Sequence, residues 1–216
     1  MAEKRIPGIK FLSSTEIEEV FKCFQRQNPE PKTELIAPNT YTLLVSVVLS
    51  AQATDKSVNA ATAELYKIVD TPQKMVALGE AGLIKYIRTI GLYQGKAKNV
   101  IALSQLLIDK FGGKVPNNRE DLESLPGVGR KTSSVMLNAV FGQPTMPVDT
   151  HVLRISPRIG LSDGATPLSV EKDLLDRIPA SFLLHSPHWL VLHGRYVCTA
   201  RNPNCPNCTI NHICKK

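Results

Sequence analysis

Alternation of apolar and polar residues at period two is scarce in this 216-residue sequence, which counts against a sheet-built fold. No apolar run reaches the roughly 20 residues that a bilayer-crossing helix needs. Met1 to Lys10 are charged and hold no long apolar core, so no secretory leader is expected, and the expected address is cytoplasmic and nucleoid-associated, of bacterial type. No internal repeat is present. Acidic residues stop at Asp176; beyond it stand only Arg177, Arg195, Arg201, Lys215 and Lys216. With a formal net charge of +7, that lopsided excess suits an acidic polymer as partner. Solvation alone also accounts for a modest basic excess, so charge favours nucleic acid without deciding for it.

What fills the chain instead is helical punctuation. Thr15 with Glu18 has capping-box spacing, and Thr71-Pro72 and Thr166-Pro167 each place proline at a first helical turn. Tyr41 to Ala53 is apolar enough for a buried helix. Asp55 then opens an amphipathic run from Lys56 to Val69, with Val58, Ala61, Leu65 and Ile68 on one face. Further helices are expected over 81–90, 97–111, 119–124, 130–141, 150–159, 170–178 and 187–197, with Gly, Pro and Asn breaks between them. The fold class is therefore all-α, about ten helices in two helical domains flanking a cleft. The break Gly142 to Pro147 marks the passage between them: a six-helix domain at 34–143, and a second domain made of 1–33 with 144–216.

Two residues on either side of that break invite chemistry. Lys131 follows the turn Leu125-Pro126-Gly127-Val128-Gly129-Arg130, and Asp149 stands in Pro147-Val148-Asp149-Thr150-His151. Glycines let backbone N–H groups approach a phosphate, and the next helix aims its positive end at it. A lysine just inside that helix feels the same field, which favours the neutral, nucleophilic amine. An ionised aspartate nearby faces developing positive charge. The plain alternatives are a solvated lysine, one of 26 Lys and Arg, and an aspartate that merely caps a helix.

Four of the five cysteines fall at the end of the chain, as Cys198-x6-Cys205-x2-Cys208-x5-Cys214. Such clustering in an intracellular chain suggests a metal, not disulfides. Spacing leaves zinc and iron-sulfur comparable, since there is one Cys-x2-Cys knuckle where zinc ribbons usually have two. Four thiolate ligands leave no open position, so the metal organises structure. Cys23 stands apart and reads as a small buried hydrophobe.

Together the hairpin, Lys131, Asp149 and the cysteine quartet resemble the endonuclease III family of helix-hairpin-helix DNA glycosylases, from about Ile17 to Cys214. Leu49-Ser50-Ala51-Gln52-Ala53-Thr54-Asp55, Ile90-Gly91-Leu92-Tyr93 and His193-Gly194-Arg195-Tyr196 add to the likeness. The resemblance implies base excision repair of duplex DNA by a bifunctional glycosylase and AP lyase that removes oxidised pyrimidines, acting as a monomer, with a 4Fe-4S cluster on Cys198, Cys205, Cys208 and Cys214. It also implies that Lys131 attacks the sugar C1′ to give a Schiff base, and that Asp149 supports the cationic sugar. By the same resemblance, Gln52 fills the gap left by a flipped base and Leu92 wedges into the other strand, while Gly127, Val128, Gly129 and Arg130 grip the backbone. Taken alone, Leu92 would be an ordinary core leucine and Gln52 a surface amide.

Two other readings use the same residues. Adenine glycosylases share the aspartate and cysteine spacing but carry a catalytic glutamate where Ser46 stands, lack a lysine at the position of Lys131, and continue past the quartet. A non-catalytic DNA-binding module with a structural metal explains the charge, glycines and cysteines, and leaves Lys131 and Asp149 as coincidence.

Overall fold

The structure, a computed structural model, describes residues 4–216. Among the described residues it is all-α, with twelve α-helices and one 3-10 turn; the β pairing found there is an isolated bridge between Arg5 and Gly164. None of these helices is long and apolar enough to cross a membrane. The chain divides into two compact units, 33–141 and 1–32 with 142–216.

The first helix, α1 (Ser14–Gln27), opens on a capping box two residues earlier than the spacing at Thr15 suggests. Ser13 and Glu16 form it, and Ile17, Val20, Phe21 and Phe24 become the buried stripe. Ser13-x-x-Glu16 has the same signature, and both of its bonds form: Glu16 N donates to Ser13 Oγ at 3.3 Å and Ser13 N donates to Glu16 Oε2 at 2.7 Å.

The unit at 33–141 is built from α2 (Thr40–Leu49), α3 (Asp55–Thr62), α4 (Leu65–Ile68), α5 (Pro72–Ile87), α6 (Tyr93–Phe111), α7 (Arg119–Glu123) and α8 (Arg130–Ala139). α2 is buried on most of its faces, which is why its sequence shows apolar residues without a polar stripe. Its polar groups are satisfied internally: Ser46 Oγ lies 2.6 Å from Tyr66 Oη, and Tyr41 Oη lies 2.6 Å from Ser104 Oγ. The run expected from Lys56 to Val69 is divided into α3 and α4, with Ala63 and Glu64 between them still in the right-handed helical region. α5 begins at its Thr71-Pro72 cap and is interrupted at Gly79, whose φ of 72° leaves the helical region. That interruption is why periodicity picks up the helix only at Ala81.

The unit formed by the two ends contains α1, α9 (Thr150–Ile159), α10 (Pro167–Arg177), α11 (Ala180–Leu183) and α12 (Ser186–Tyr196). Phe21, Phe24, Phe182 and Trp189 form its aromatic centre, and Trp189 Nε1 donates to Asn28 O at 2.7 Å. The N-terminal strap is tied along the loop after α9, with Arg5 bridging Asp163 (2.7 Å) and Asp173 (2.6 Å), and Leu12 N donating to Gly160 O. A Cβ on Gly160 would meet Lys10 O at 2.5 Å, and its φ is 96°, so only glycine fits there.

Lys215 closes the other end of this unit by donating to Glu16 Oε1 at 2.5 Å, while Ser13 N donates to Oε2 at 2.7 Å. Those bonds, Lys215 first, hold the Glu16 carboxyl at about 2 against an ordinary 4.5. A depressed carboxyl stabilises the fold fully above its unfolded value and ceases to do so as pH falls through its folded value. Melting of the wild type and Glu16→Gln, followed by circular dichroism, should therefore differ most above pH 4.5 and converge near pH 2.

Candidate nucleic-acid interface and active site

In the unit at 33–141, α7, the turn at 124–129 and α8 form a helical hairpin. Leu122 and Leu125 are buried beneath it, and Val128 N donates back to Leu125 O at 3.0 Å. Gly127 takes a φ of 79° and lies so close to Asn99 that a Cβ would sit 3.0 Å from the Asn99 Cβ. Gly129 caps α8 with no side-chain hydrogen bond, and the first bond of the helix runs from Ser133 N to Gly129 O. The amides of the first turn therefore precede the helical ladder and project at the turn, a geometry that suits an anion. Lys131 is the second residue of α8 and is exposed.

Behind the turn, α7 is stapled to α8 by polar groups that sequence reading did not single out. Arg119 donates to Glu123 Oε1, Ser133 Oγ and Ser134 Oγ, each at 3.1 Å, and Ser133 Oγ donates to Glu123 Oε1 at 2.7 Å. The Ser133 bond, followed by Arg119, holds the Glu123 carboxyl below its ordinary range. Glu123 therefore stays ionised as the acceptor that fixes the angle of the hairpin.

Gln52 and Leu92 prove to be the two non-glycine residues with positive φ among the described residues, at 53° and 58°. Such a conformation costs an L-residue roughly 1–2 kcal/mol. Strain of this kind persists where surrounding structure imposes it, and it concentrates at functional positions. Gln52 is exposed just past the end of α2, and Leu92, 67% exposed, caps α6 by backbone alone. Leu92 and Gly127 line one open groove of about 470 Å³, whose wall includes Ala51, the neighbour of Gln52.

In the unit formed by the chain ends, Asp149 is the N-cap of α9: its Oδ1 accepts from His151 N and Val152 N, both at 2.8 Å. The plain reading of Asp149 as a cap is thus true of one oxygen. Those two bonds fix the carboxylate plane, and Oδ2 takes no part in them.

The cysteine loop wraps against α9 and α12. Cys198, Cys205, Cys208 and Cys214 line one small space, so the structure brings the quartet together. Among the described residues no three His, Cys, Asp or Glu side chains converge closely enough to hold one metal ion. Arg154 and Arg158, one turn apart on α9, grip the loop: Arg154 donates to Gly194 O and Cys198 O, and Arg158 to Thr199 O, Ala200 O and, at 3.8 Å, Cys198 Sγ. His193 Nε2 lies 3.9 Å from Cys208 Sγ, and burial lowers the imidazole to about 4, leaving it neutral. Burial first, then the neighbouring sulfurs of Cys214, Cys198 and Cys205, push the Cys208 thiol up. Four sulfurs deprotonated together at this place would need a cationic centre to offset them.

Comparison with known proteins fits this geometry. The model of the HhH-GPD superfamily of base excision DNA repair proteins matches residues 45–180. Endonuclease III of Treponema pallidum (strain Nichols) is 55% identical over 208 residues, covering 96% of this chain and 99% of that protein. Endonuclease III of Escherichia coli (strain K12) is 48% identical over 197 residues, covering 91% and 93%. Among solved structures, a trapped endonuclease III–DNA covalent intermediate superposes with a TM-score of 0.87 at 40% identity, covering 95% of this chain and 97% of that one. A non-covalent endonuclease III–DNA complex gives 0.88, also at 40% identity, covering 95% and 96%. The chain belongs to the endonuclease III family, within the HhH-GPD superfamily of base excision DNA repair, and is a DNA glycosylase with AP lyase activity.

Proposed function

We propose that Lys131 carries both steps of this activity on oxidised or ring-damaged pyrimidines in duplex DNA. The observation that carries the reading is the placement of Lys131, exposed in the first turn of a helix that no side chain caps, directly after the Gly127–Gly129 turn. The turn amides hold a backbone phosphate without reading sequence, with Arg130 beside them, which puts a sugar within reach of the amine. A base inside the stack is inaccessible, so the nucleotide is extruded, and a damaged base costs less to unstack. Gln52 then occupies the vacated space and Leu92 separates bases of the opposite strand.

The Lys131 nitrogen lone pair forms a bond to C1′ as the bond from C1′ to the base breaks, and the base leaves with the electron pair and takes up a proton. One of the two amine protons passes to the ring oxygen O4′ as the C1′–O4′ bond breaks, and the nitrogen keeps the other, giving a protonated Schiff base. Positive charge builds on the sugar in the first step, and the Asp149 carboxylate stabilises it. The iminium acidifies C2′; loss of that proton expels the 3′ phosphate, and water releases the lysine. The deep burial of Ser46, hydrogen-bonded to Tyr66, favours this reading over the adenine type, whose catalytic glutamate would stand there.

The test is product analysis on duplex DNA holding one ring-saturated pyrimidine, with a chelator present. Free base together with a strand ending in a 3′ unsaturated aldehyde is expected. Free base with an intact strand would mean that scission does not follow base removal on this lesion, and neither product, with an abasic strand still cleaved, would mean that the substrates are not ring-damaged pyrimidines.

Two further expectations follow from particular residues. The four cysteines, which line one space, hold a 4Fe-4S cluster with one sulfur on each iron, as the likeness to the endonuclease III family implies. Bound there, the cluster supplies a structural anchor for the loop that Arg154 and Arg158 grip. Visible iron-thiolate absorbance with four irons per chain is expected, and colourless protein with one zinc would contradict it. For the wedge, Leu92→Gly relieves roughly 1–2 kcal/mol of left-handed strain against about 0.5–1 of glycine entropy. It should melt no lower than wild type yet cut a lesion in duplex DNA at least about tenfold more slowly. Cleavage of a single-stranded abasic site, where nothing needs flipping, should be unchanged.

A further inference from the structure

Lys96 is the one buried lysine among the described residues, 6% exposed, and its Nζ has no hydrogen-bond partner. It belongs to the first turn of α6, on the stripe of Ala97, Val100, Leu103 and Leu107 that packs into the core. Burial alone holds its pKa down, with no carboxylate opposing that effect. Lys96 lines the groove already described, with Ala51, Leu92, Asn99 and Gly127. α6 has no side-chain cap, and its first backbone bond runs from Lys96 N to Leu92 O at 3.1 Å, so the amides of Tyr93, Gln94 and Gly95 precede the ladder. A Cβ on Gly95 would meet nothing within 4 Å, so the approach is open. The residues lining the groove include those of the first turn of α6, Asn99 and Lys96, whose amine is itself covered, and none of them is acidic.

We propose that this groove is a phosphate site, in which the first-turn amides of α6 receive the phosphate oxygens and the Lys96 ammonium beneath them supplies the countercharge. Direct contact with Nζ is not required, because a buried charge acts across several ångströms with far less screening than an exposed one. The inference rests on the reading that this face meets DNA, and it adds a phosphate contact beyond the Gly127–Gly129 turn. A phosphodiester of DNA and free phosphate share this chemistry, and the two arms of the test distinguish them.

The first arm measures binding to duplex DNA with a reduced, uncleavable abasic analogue across a range of salt. Lys96→Met should weaken binding by about tenfold at low salt and reduce the salt slope by about one, while Lys96→Arg retains the slope. The second arm titrates wild-type protein with inorganic phosphate at constant ionic strength and follows backbone amides by NMR. Saturable shifts at Gly95 and Lys96 are expected. Saturable shifts with an unchanged salt slope would assign the site to free phosphate. Absence of saturable shifts overturns the site, and that arm decides alone should Lys96→Met fail to fold. Borohydride trapping in the same preparations separates the readings: intact trapping without a phosphate effect fails this inference only, and lost trapping with the phosphate effect intact fails the catalytic reading only.

Discussion

Lys131→Ala should give no borohydride-trapped complex with abasic DNA and lose at least about 10³-fold in strand cleavage, because the covalent route needs a neutral amine at that position. The fold should be indifferent. Lys131 is exposed in the first turn of α8, where alanine is an excellent helix former and a positive charge opposes the helix dipole. A melting temperature within about 2 °C of wild type is therefore expected. Lys131→Arg should be as inactive as Lys131→Ala, since a guanidinium keeps its proton, while matching wild type in binding an uncleavable abasic analogue. Activity surviving in the arginine variant would show that charge, not nucleophilicity, is what this position supplies.

Asp149→Asn should lower the rate of base release by roughly 10²–10³, the usual cost of removing one electrostatic contributor to a transition state. Asparagine separates the two jobs of this residue. It caps helices about as well as aspartate and can accept the same bonds from His151 N and Val152 N. The stability change is then the lost charge at the N-terminus of α9, roughly 0.3–1 kcal/mol. Asp149→Ala forfeits the cap as well, costing about 1 kcal/mol more. Single-turnover base release and thermal melting on all three proteins resolve the matter. A rate loss in the asparagine variant without a matching loss of stability supports a chemical role. Rate losses that simply track the melting temperature would reduce Asp149 to a cap.

The helical class was legible because its signals are local: Thr71-Pro72 and Thr166-Pro167 start helices where proline chemistry requires, and 150–159 is bounded by Asp149 and Gly160, both of which the structure uses as caps. What sequence missed depends on contacts between distant residues. Nothing in the sequence marks the division between α3 and α4, where Ala63 and Glu64 keep helical backbone angles. The start of α6 at Tyr93 was invisible because Leu92 is no capping residue and takes its left-handed conformation from its surroundings. The stapling of α7 to α8 through Arg119, Glu123 and Ser133 was hidden for the same reason. A signal for Lys96 existed: it interrupts the apolar stripe of α6, where a lysine has to be either covered or compensated. Gln52 and Leu92 were named by resemblance alone, and their shared positive φ is an independent physical mark on the same two residues.

The central claim is that one amine performs both base removal and strand scission, and its most direct test is to identify the atom that DNA becomes attached to. Wild-type protein is incubated with duplex DNA containing an oxidised pyrimidine, reduced with borohydride, digested, and the cross-linked peptide sequenced by mass spectrometry. The adduct is expected on Lys131, in a peptide spanning the Gly127–Gly129 turn, with the mass of a reduced Schiff base to the sugar. An adduct on another lysine or the N-terminal amine, or base release with no adduct, would contradict the account.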